Sequence, residues 1–208
     1  MDLGSAPSWT AAEALQRLRD GNERFVRGEA RFPTVQKEVL ARLARGQHPY
    51  ATLLGCSDSR VPPELLFDAG FGELFILRLA GNVMSEEVAG TLQYAATHLH
   101  TQLFVVLGHE GCGAVQAALA MKHEGRRDRA RIEELLERIL PGLEGLDPGL
   151  PADALLRAAV EANVRWTIGQ ILATPEGRAR LQEGVLRIVG AVAEITTGRV
   201  RFLDADGA

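Results

Sequence analysis

Leu74-Phe-Ile-Leu-Arg-Leu79, closed by Ala80-Gly-Asn82, is an apolar run whose unbroken character suits a strand covered on both faces. Ser85 then caps a helix carrying Val88, Leu92, Ala95, Ala96 and Leu99 at helical spacing, and this leads into a second apolar run, Leu103-Phe-Val-Val-Leu107. Strand, helix, strand in this rhythm predicts parallel pairing with right-handed crossovers.

Upstream, Tyr50-Ala-Thr-Leu-Leu-Gly55 reads as another strand, followed by Cys56-Ser-Asp-Ser-Arg60, the helix-breaking pair Pro62-Pro63 and a short helical turn over 64–67. Before it, Thr10 and Glu13 have capping-box spacing and start a helix with an apolar face of Ala14, Leu15, Leu18, Phe25 and Val26. A second helix is expected over 35–43, and a loose arm over 3–8. Downstream, Gly108-His-Glu-Gly-Cys-Gly113 is followed by the helix-forming Ala114-Val-Gln-Ala-Ala-Leu-Ala120. Ile132, Leu135, Leu136 and Ile139 mark another helix, residues 141–151 a Gly/Pro-rich loop, and Leu156, Val160, Val164, Ile168 and Ile171 a long helix ending before Pro175. Leu186-Arg-Ile-Val-Gly190 and Val200-Arg-Phe-Leu203 flank Thr196-Thr-Gly198, which predicts a hairpin and one antiparallel edge strand. The expected fold is α/β, with a mostly parallel central sheet, one antiparallel edge strand, flanking helices and an N-terminal helical arm. One domain over 1–208 is expected, with a loose arm at 1–8, helices at 9–46 and the sheet core at 50–204.

The 208 residues suffice for a single core. A net charge of −4 argues against nucleic acid as a main partner, and Arg126-Arg-Asp-Arg129 reads as a solvated helix start. The N-terminus lacks a basic region followed by an apolar one, and no apolar run reaches spanning length, so a cytoplasmic protein without membrane contact is expected. In a reducing compartment the two cysteines are thiols or ligands rather than a disulfide.

Cys56, His109 and Cys112 all fall at the carboxyl ends of expected strands, where an open α/β sheet forms its ligand crevice. Two thiolates and an imidazole are good zinc ligands, and three protein ligands leave a catalytic ion a position for water. Buried core cysteines beside a hydrogen-bonded histidine fit the same spacing, so spacing alone leaves both readings open. Phosphate chemistry fails on detail: Ala114-Val115 stands where a phosphate loop needs Lys and Ser/Thr, and Asp58 and Asp68 would repel a phosphate dianion. There is no Cys-x-x-Cys for a redox pair. Asp58 and Arg60, taken alone, read as a weak surface ion pair between neighbours.

Together, Cys56-Ser-Asp-Ser-Arg-Val-Pro-Pro-Glu64, Arg78-Leu-Ala-Gly-Asn82, Gly108-His-Glu-Gly-Cys-Gly113, Ile188-Val-Gly-Ala191 and Thr197-Gly-Arg-Val200 resemble the bacterial β-class carbonic anhydrases, from about Trp9 to Leu203. The resemblance implies one zinc per chain on Cys56, His109 and Cys112, an Asp58–Arg60 active-site dyad, and a homodimer or tetramer of dimers whose N-terminal helices reach across the partner. A site with two thiolates and a neutral histidine carries no net charge and acidifies water less than three imidazoles would, so a neighbouring acceptor matters more. Asp58 is that acceptor, and Arg60 keeps it ionised and aimed. By resemblance the carbon dioxide pocket draws on Gln47, Phe75, Ala80 and Tyr94, some from the partner, with Ala80 where the family often carries valine.

The implied reaction is reversible hydration of carbon dioxide to bicarbonate and a proton. Alternatives on the same scaffold are hydrolysis of carbon disulfide or carbonyl sulfide, and a non-catalytic zinc-binding or anion-sensing role. In one subgroup of the family the dyad aspartate swings onto zinc, also serving as a metal ligand, and a bicarbonate held by tryptophan, arginine and tyrosine favours that closed state. The matching positions here are Leu53, Arg78 and Ala193, so the expectation is that bicarbonate does not lock this chain shut and that Asp58 stays paired with Arg60 near neutral pH.

Overall fold

The computed structural model describes residues 9–31 and 37–203. The expected arm over 3–8 and the first two residues of the expected second helix lie outside the described residues. Within them, α1 (Ala11–Val26) and α2 (Lys37–Leu43) precede β1 (Ala51–Gly55), α3 (Pro63–Leu66) and β2 (Leu74–Arg78). Then come α4 (Glu86–His98), β3 (Leu103–His109), α5 (Gly113–Glu124), α6 (Ala130–Leu136), α7 (Ala152–Ala173), α8 (Pro175–Gln182), β4 (Arg187–Ala193) and β5 (Val200–Leu203).

The five strands run in the order β2-β1-β3-β4-β5, with every pair parallel except β4 and β5, which form the expected antiparallel edge. From β1 the chain goes to β2 on one side, then crosses back over β1 to reach β3. Right-handed crossovers in opposite directions require the connections to lie on opposite faces. They do. Leu66 and Phe67, at the end of α3, pack with α1 on one face over Leu53, Val105 and Leu107, while α4, α5 and α7 cover the other over Leu54, Phe104 and Val106. Alternate residues of one strand thus feed two cores, which is why these strands read as unbroken apolar runs.

The capping box on Thr10 forms as expected. Ala14, Leu15 and Leu18 seat α1 on its own chain's sheet, so any reach across a partner would use its opposite face. Gly21 lies where a methyl group would collide with the Phe67 carbonyl. Beside it the buried Asn22 donates through Nδ2 to the carbonyls of Leu66 (3.0 Å) and Gly198 (2.8 Å), and its Oδ1 accepts from the Val200 N–H (2.8 Å). Asn22→Ala would leave three buried backbone groups without a partner and cost about 3 kcal/mol or more. A fall in Tm of about 6–12 °C is expected for a chain of this length, whereas a melt within about 2 °C of wild type would show these bonds to be redundant.

Several boundaries differ from expectation. β3 runs on to His109 because β4 continues to Ala193 beside it. The helix expected through Ile139 stops at Leu136, and a 3₁₀ turn at Leu140–Leu143 follows. The sequence marks Pro175 only as the end of the long helix and gives no sign of α8. The same proline occupies the first turn of a new helix whose start Thr174 caps by accepting from the Gly177 N–H at 3.0 Å.

Candidate active site

β1 lies where the chain's path reverses, and the crevice at the carboxyl ends of β1 and β3 is the ligand position of an open α/β sheet. Cys56 is the first residue past β1. His109 closes β3, fixed in register with Ala193, and the Glu110 N–H donates to the Ala193 carbonyl at 2.9 Å. A tight turn through Gly111, at a left-handed φ of 61°, then brings Cys112 to the start of α5. All three side chains are buried, and their ligand atoms lie within 4.8 Å of one another.

His109 Nδ1 is 2.9 Å from the Glu110 carbonyl and so carries the proton, leaving the Nε2 lone pair facing the two sulfurs. Nε2 is buried without a hydrogen-bond partner. An orphaned ring nitrogen beside two thiol sulfurs is costly in a protein interior, and this donor set fits a cation with tetrahedral nitrogen and sulfur preferences. The thiols are unequal. Cys56 is held far below the ordinary thiol range, chiefly by the hydrogen bond from Cys112 and also by the backbone N–H groups of Gly81 and Asp58, all acting against burial. Cys112 is pushed up by that same thiolate and by burial. Ionising both sulfurs at once would need a positive charge between them.

Asp58 stands at the rim. Its Oδ1 accepts from Arg60 Nε (2.9 Å) and the Arg60 backbone N–H (3.0 Å), and its Oδ2 accepts from Arg60 Nη2 (2.7 Å). The same Oδ2 is 3.8 Å from His109 Nε2. The Arg60 guanidinium holds the Asp58 carboxyl well below the usual carboxylate range. The Asp58 side chain is 19 % exposed and that of Arg60 52 %, so the dyad opens to solvent on the arginine side.

Arg78 has a role that its sequence position did not reveal. Its Nε donates to the Cys56 carbonyl (2.9 Å) and its Nη2 to the Asp58 carbonyl (2.5 Å), tying the ligand loop to β2. With Leu53 and Ala193 both buried and apolar, Arg78 has no nearby indole or phenol at these positions with which to build an anion pocket. The Gly81 N–H lies 3.4 Å from Cys56 Sγ, a contact across 25 residues that no local spacing signals.

The four expected substrate-binding residues are not brought together within one chain. Ala80 begins the turn whose Gly81 touches Cys56, and is exposed. Phe75 pairs with Thr52 in register, near the amino end of the sheet, and stacks with the half-exposed Tyr94 at 6.2 Å between ring centroids. Gln47 is exposed ahead of β1. Five strand residues separate that end from Cys56, about 17 Å of chain.

Residues 51–200 match a protein-family model described as carbonic anhydrase. The solved β-carbonic anhydrase CcaA superposes with a TM-score of 0.76 at 26% identity, covering 91% of this chain and 87% of that one. The chain belongs to the β-carbonic anhydrase family. Carbonic anhydrase 2 of Mycobacterium tuberculosis is 38% identical over 203 residues, 97% of each chain. One of two tetrameric β-carbonic anhydrases of Sordaria macrospora shares the fold, with a TM-score of 0.72 at 24% identity over 91% of this chain and 96% of that one. This carbonic anhydrase is accordingly an enzyme of the lyase class. Among its described residues, no helix is long and apolar enough to cross a membrane.

Proposed function

We propose that this carbonic anhydrase interconverts carbon dioxide and water with bicarbonate and a proton, using one zinc ion per chain held by Cys56, His109 and Cys112. The observation that carries the reading is the doubly bonded Asp58–Arg60 pair, its Oδ2 3.8 Å from His109 Nε2. When bound there, zinc supplies Lewis acidity that makes a water acidic enough to serve as nucleophile near neutral pH. Asp58 Oδ2, on the side of the dyad that faces the trio, would accept a hydrogen bond from a water held there and orient it toward carbon dioxide. Arg60 occupies one edge of the carboxylate and keeps it ionised, so the remaining lone pairs face the ligand trio. Arg78 fixes the loop carrying both Cys56 and Asp58.

The carbon dioxide pocket is completed by a second copy of the chain. Phe75 and Tyr94 form an aromatic pair at the open β2 edge, and with Gln47 they lie away from their own ligand trio, so we assign them to a partner's site. Ala80 lines the site of its own chain. We take residues 1–208 as one catalytic domain acting as a homodimer or a tetramer of dimers, in the cytoplasm, where two reduced thiols persist.

Stopped-flow hydration on zinc-loaded, chelator-stripped and zinc-restored protein tests the reading, with carbon disulfide and carbonyl sulfide assayed in parallel. Hydration should vanish on stripping and return with zinc. A zinc-replete protein that hydrolyses either sulfur substrate but leaves carbon dioxide at the buffer rate would replace the proposal with the hydrolase, and one inert to all three would make the site non-catalytic.

Bicarbonate is expected to act only as a reactant at the catalytic crevice and not as an effector. Arg78 already serves two carbonyls, and the buried Leu53 and Ala193 donate nothing to an anion. Rates measured at rising bicarbonate should decline without cooperativity; a sigmoidal loss of activity at neutral pH would contradict this.

A further inference from the structure

The long helix α7 is apolar where it faces the core, except at Asn163 and Thr167, one turn apart. Asn163 is 1 % exposed and Thr167 fully buried. Groups of this kind are costly in an apolar interior unless hydrogen-bonded. Both are bonded to one short turn: Asn163 Nδ2 donates to the Gly81 carbonyl at 2.8 Å, and Thr167 Oγ1 donates to the Asn82 carbonyl at 3.2 Å. The Gly81 N–H faces the other way, onto Cys56 Sγ at 3.4 Å.

The turn does little to fix itself. Across Ala80–Asn82 its own backbone bond runs from the Asn82 N–H to the Leu79 carbonyl (3.0 Å), and Gly81 sits at φ 68°, ψ 21°, a region open chiefly to glycine. A side chain there is excluded by Ile139 Cδ1 and Ala114 Cβ. α7 therefore holds the two peptide units that follow the Gly81 Cα, and the Gly81 N–H, in the unit before it, is placed through the φ and ψ of that one residue. That helix is itself seated firmly, with Val160 and Val164 against Gly108, the residue before His109, and Val164 again against Gly190. One rigid helix thus braces the strand that carries one ligand and the turn that touches another.

Resting on the zinc reading above, we infer that Asn163, supported by Thr167, is a positioning residue: it aims the Gly81 N–H at Cys56 Sγ and so sets how much charge that thiolate gives the metal. A hydrogen bond to a ligating thiolate withdraws electron density, and partners in this outer layer tune both affinity and reactivity of a metal. Loosening the bond makes the sulfur a stronger donor and the metal a weaker acid.

Asn163→Leu and Thr167→Val, with Thr167→Ser as the conservative control, test this in the full-length protein. In the cobalt-substituted forms the thiolate-to-cobalt charge-transfer band should move to lower energy in the first two and stay in place in the serine variant. In the zinc forms, kcat should fall about 10-fold in Asn163→Leu, the usual scale for an outer-layer partner, and its pH midpoint should rise, with one zinc per chain retained. Should Asn163→Leu fail to fold, Thr167→Val decides, because it removes one hydroxyl at nearly unchanged volume. Bands and pH midpoints that match wild type, whatever the change in Tm, would reduce Asn163 and Thr167 to partners of two buried carbonyls. A wild-type cobalt form without a thiolate charge-transfer band would instead overturn the metal assignment beneath.

Discussion

The Cys112→Ala protein is expected to lose zinc and carbon dioxide hydration together. Cys112 is buried at the start of α5, its sulfur within 4.8 Å of the other two ligand atoms, and the trio has no fourth cysteine or histidine to substitute for it. With only Cys56 and His109 left, the site falls below the three protein ligands a catalytic zinc requires. Activity near neutral pH should drop by about 10³-fold or more, because the metal lowers the pKa of water by several units and each unit is worth tenfold. Metal analysis beside stopped-flow kinetics checks the prediction, and a melt that stays cooperative shows that the sheet has survived. A metal-free preparation with full activity would sink the reading of the whole site.

Arg60→Ala should separate what Cys112→Ala removes together. Arg60 bonds Asp58, and no hydrogen bond joins its guanidinium to a member of the ligand trio, so zinc should stay at one per chain while kcat falls about 10–100-fold. The main-chain bond from residue 60 to Asp58 Oδ1 survives the substitution, leaving the carboxylate near its place but free to turn. The pH dependence has a definite sign. In the wild type the carboxyl is depressed, so the pair's contribution to stability is complete above the ordinary aspartate value of about 3.9 and is lost only as pH falls through the lower folded value. Without the guanidinium the folded value returns toward the ordinary one, so this contribution is missing at neutral pH and Arg60→Ala should lose less stability than wild type as pH falls below about 3.9. Thermal melts across the acid range would detect the difference. If zinc content falls as far as activity does, Arg60 holds the site together rather than aiming Asp58.

Much of this was readable from residues alone because it is local. The strands β1, β2 and β3 are short apolar runs, β1 closing on Gly55 and the other two followed by glycine-bearing turns, and that punctuation puts Cys56 and His109 at strand ends before any pairing is known. The Asp58–Arg60 spacing of two permits the doubly bonded pair that forms. The capping box at Thr10 and the cap at Ser85 are similarly short-range signals, satisfied within one turn.

What a one-dimensional reading missed has a common cause. Pro175 was taken as the end of a helix when it also begins one, because a proline is compatible with both and only packing decides. Arg78 passed for the remnant of an anion site, since the carbonyls it holds lie 20 and 22 residues away. Asn163 and Thr167 broke an apolar face without an assigned reason, and their partners are 82 and 85 residues distant. Phe75, Tyr94 and Gln47 carry no local mark of lying away from their own chain's trio, and only the family resemblance implies that some pocket residues come from a partner.

Local signals in the sequence are enough for the five strands, for every described α-helix except α8, and for Cys56, His109, Cys112 and the Asp58–Arg60 pair as candidates, since periodicity, capping and two-residue spacings act over one or two turns of chain. The tertiary structure alone decided the strand order that makes β1 the crossing point, the seat of α1 on its own sheet, and the brace from α7 to Cys56 through Gly81. Those depend on which distant surfaces exclude water from one another, and burial of that kind leaves no periodic trace along the chain.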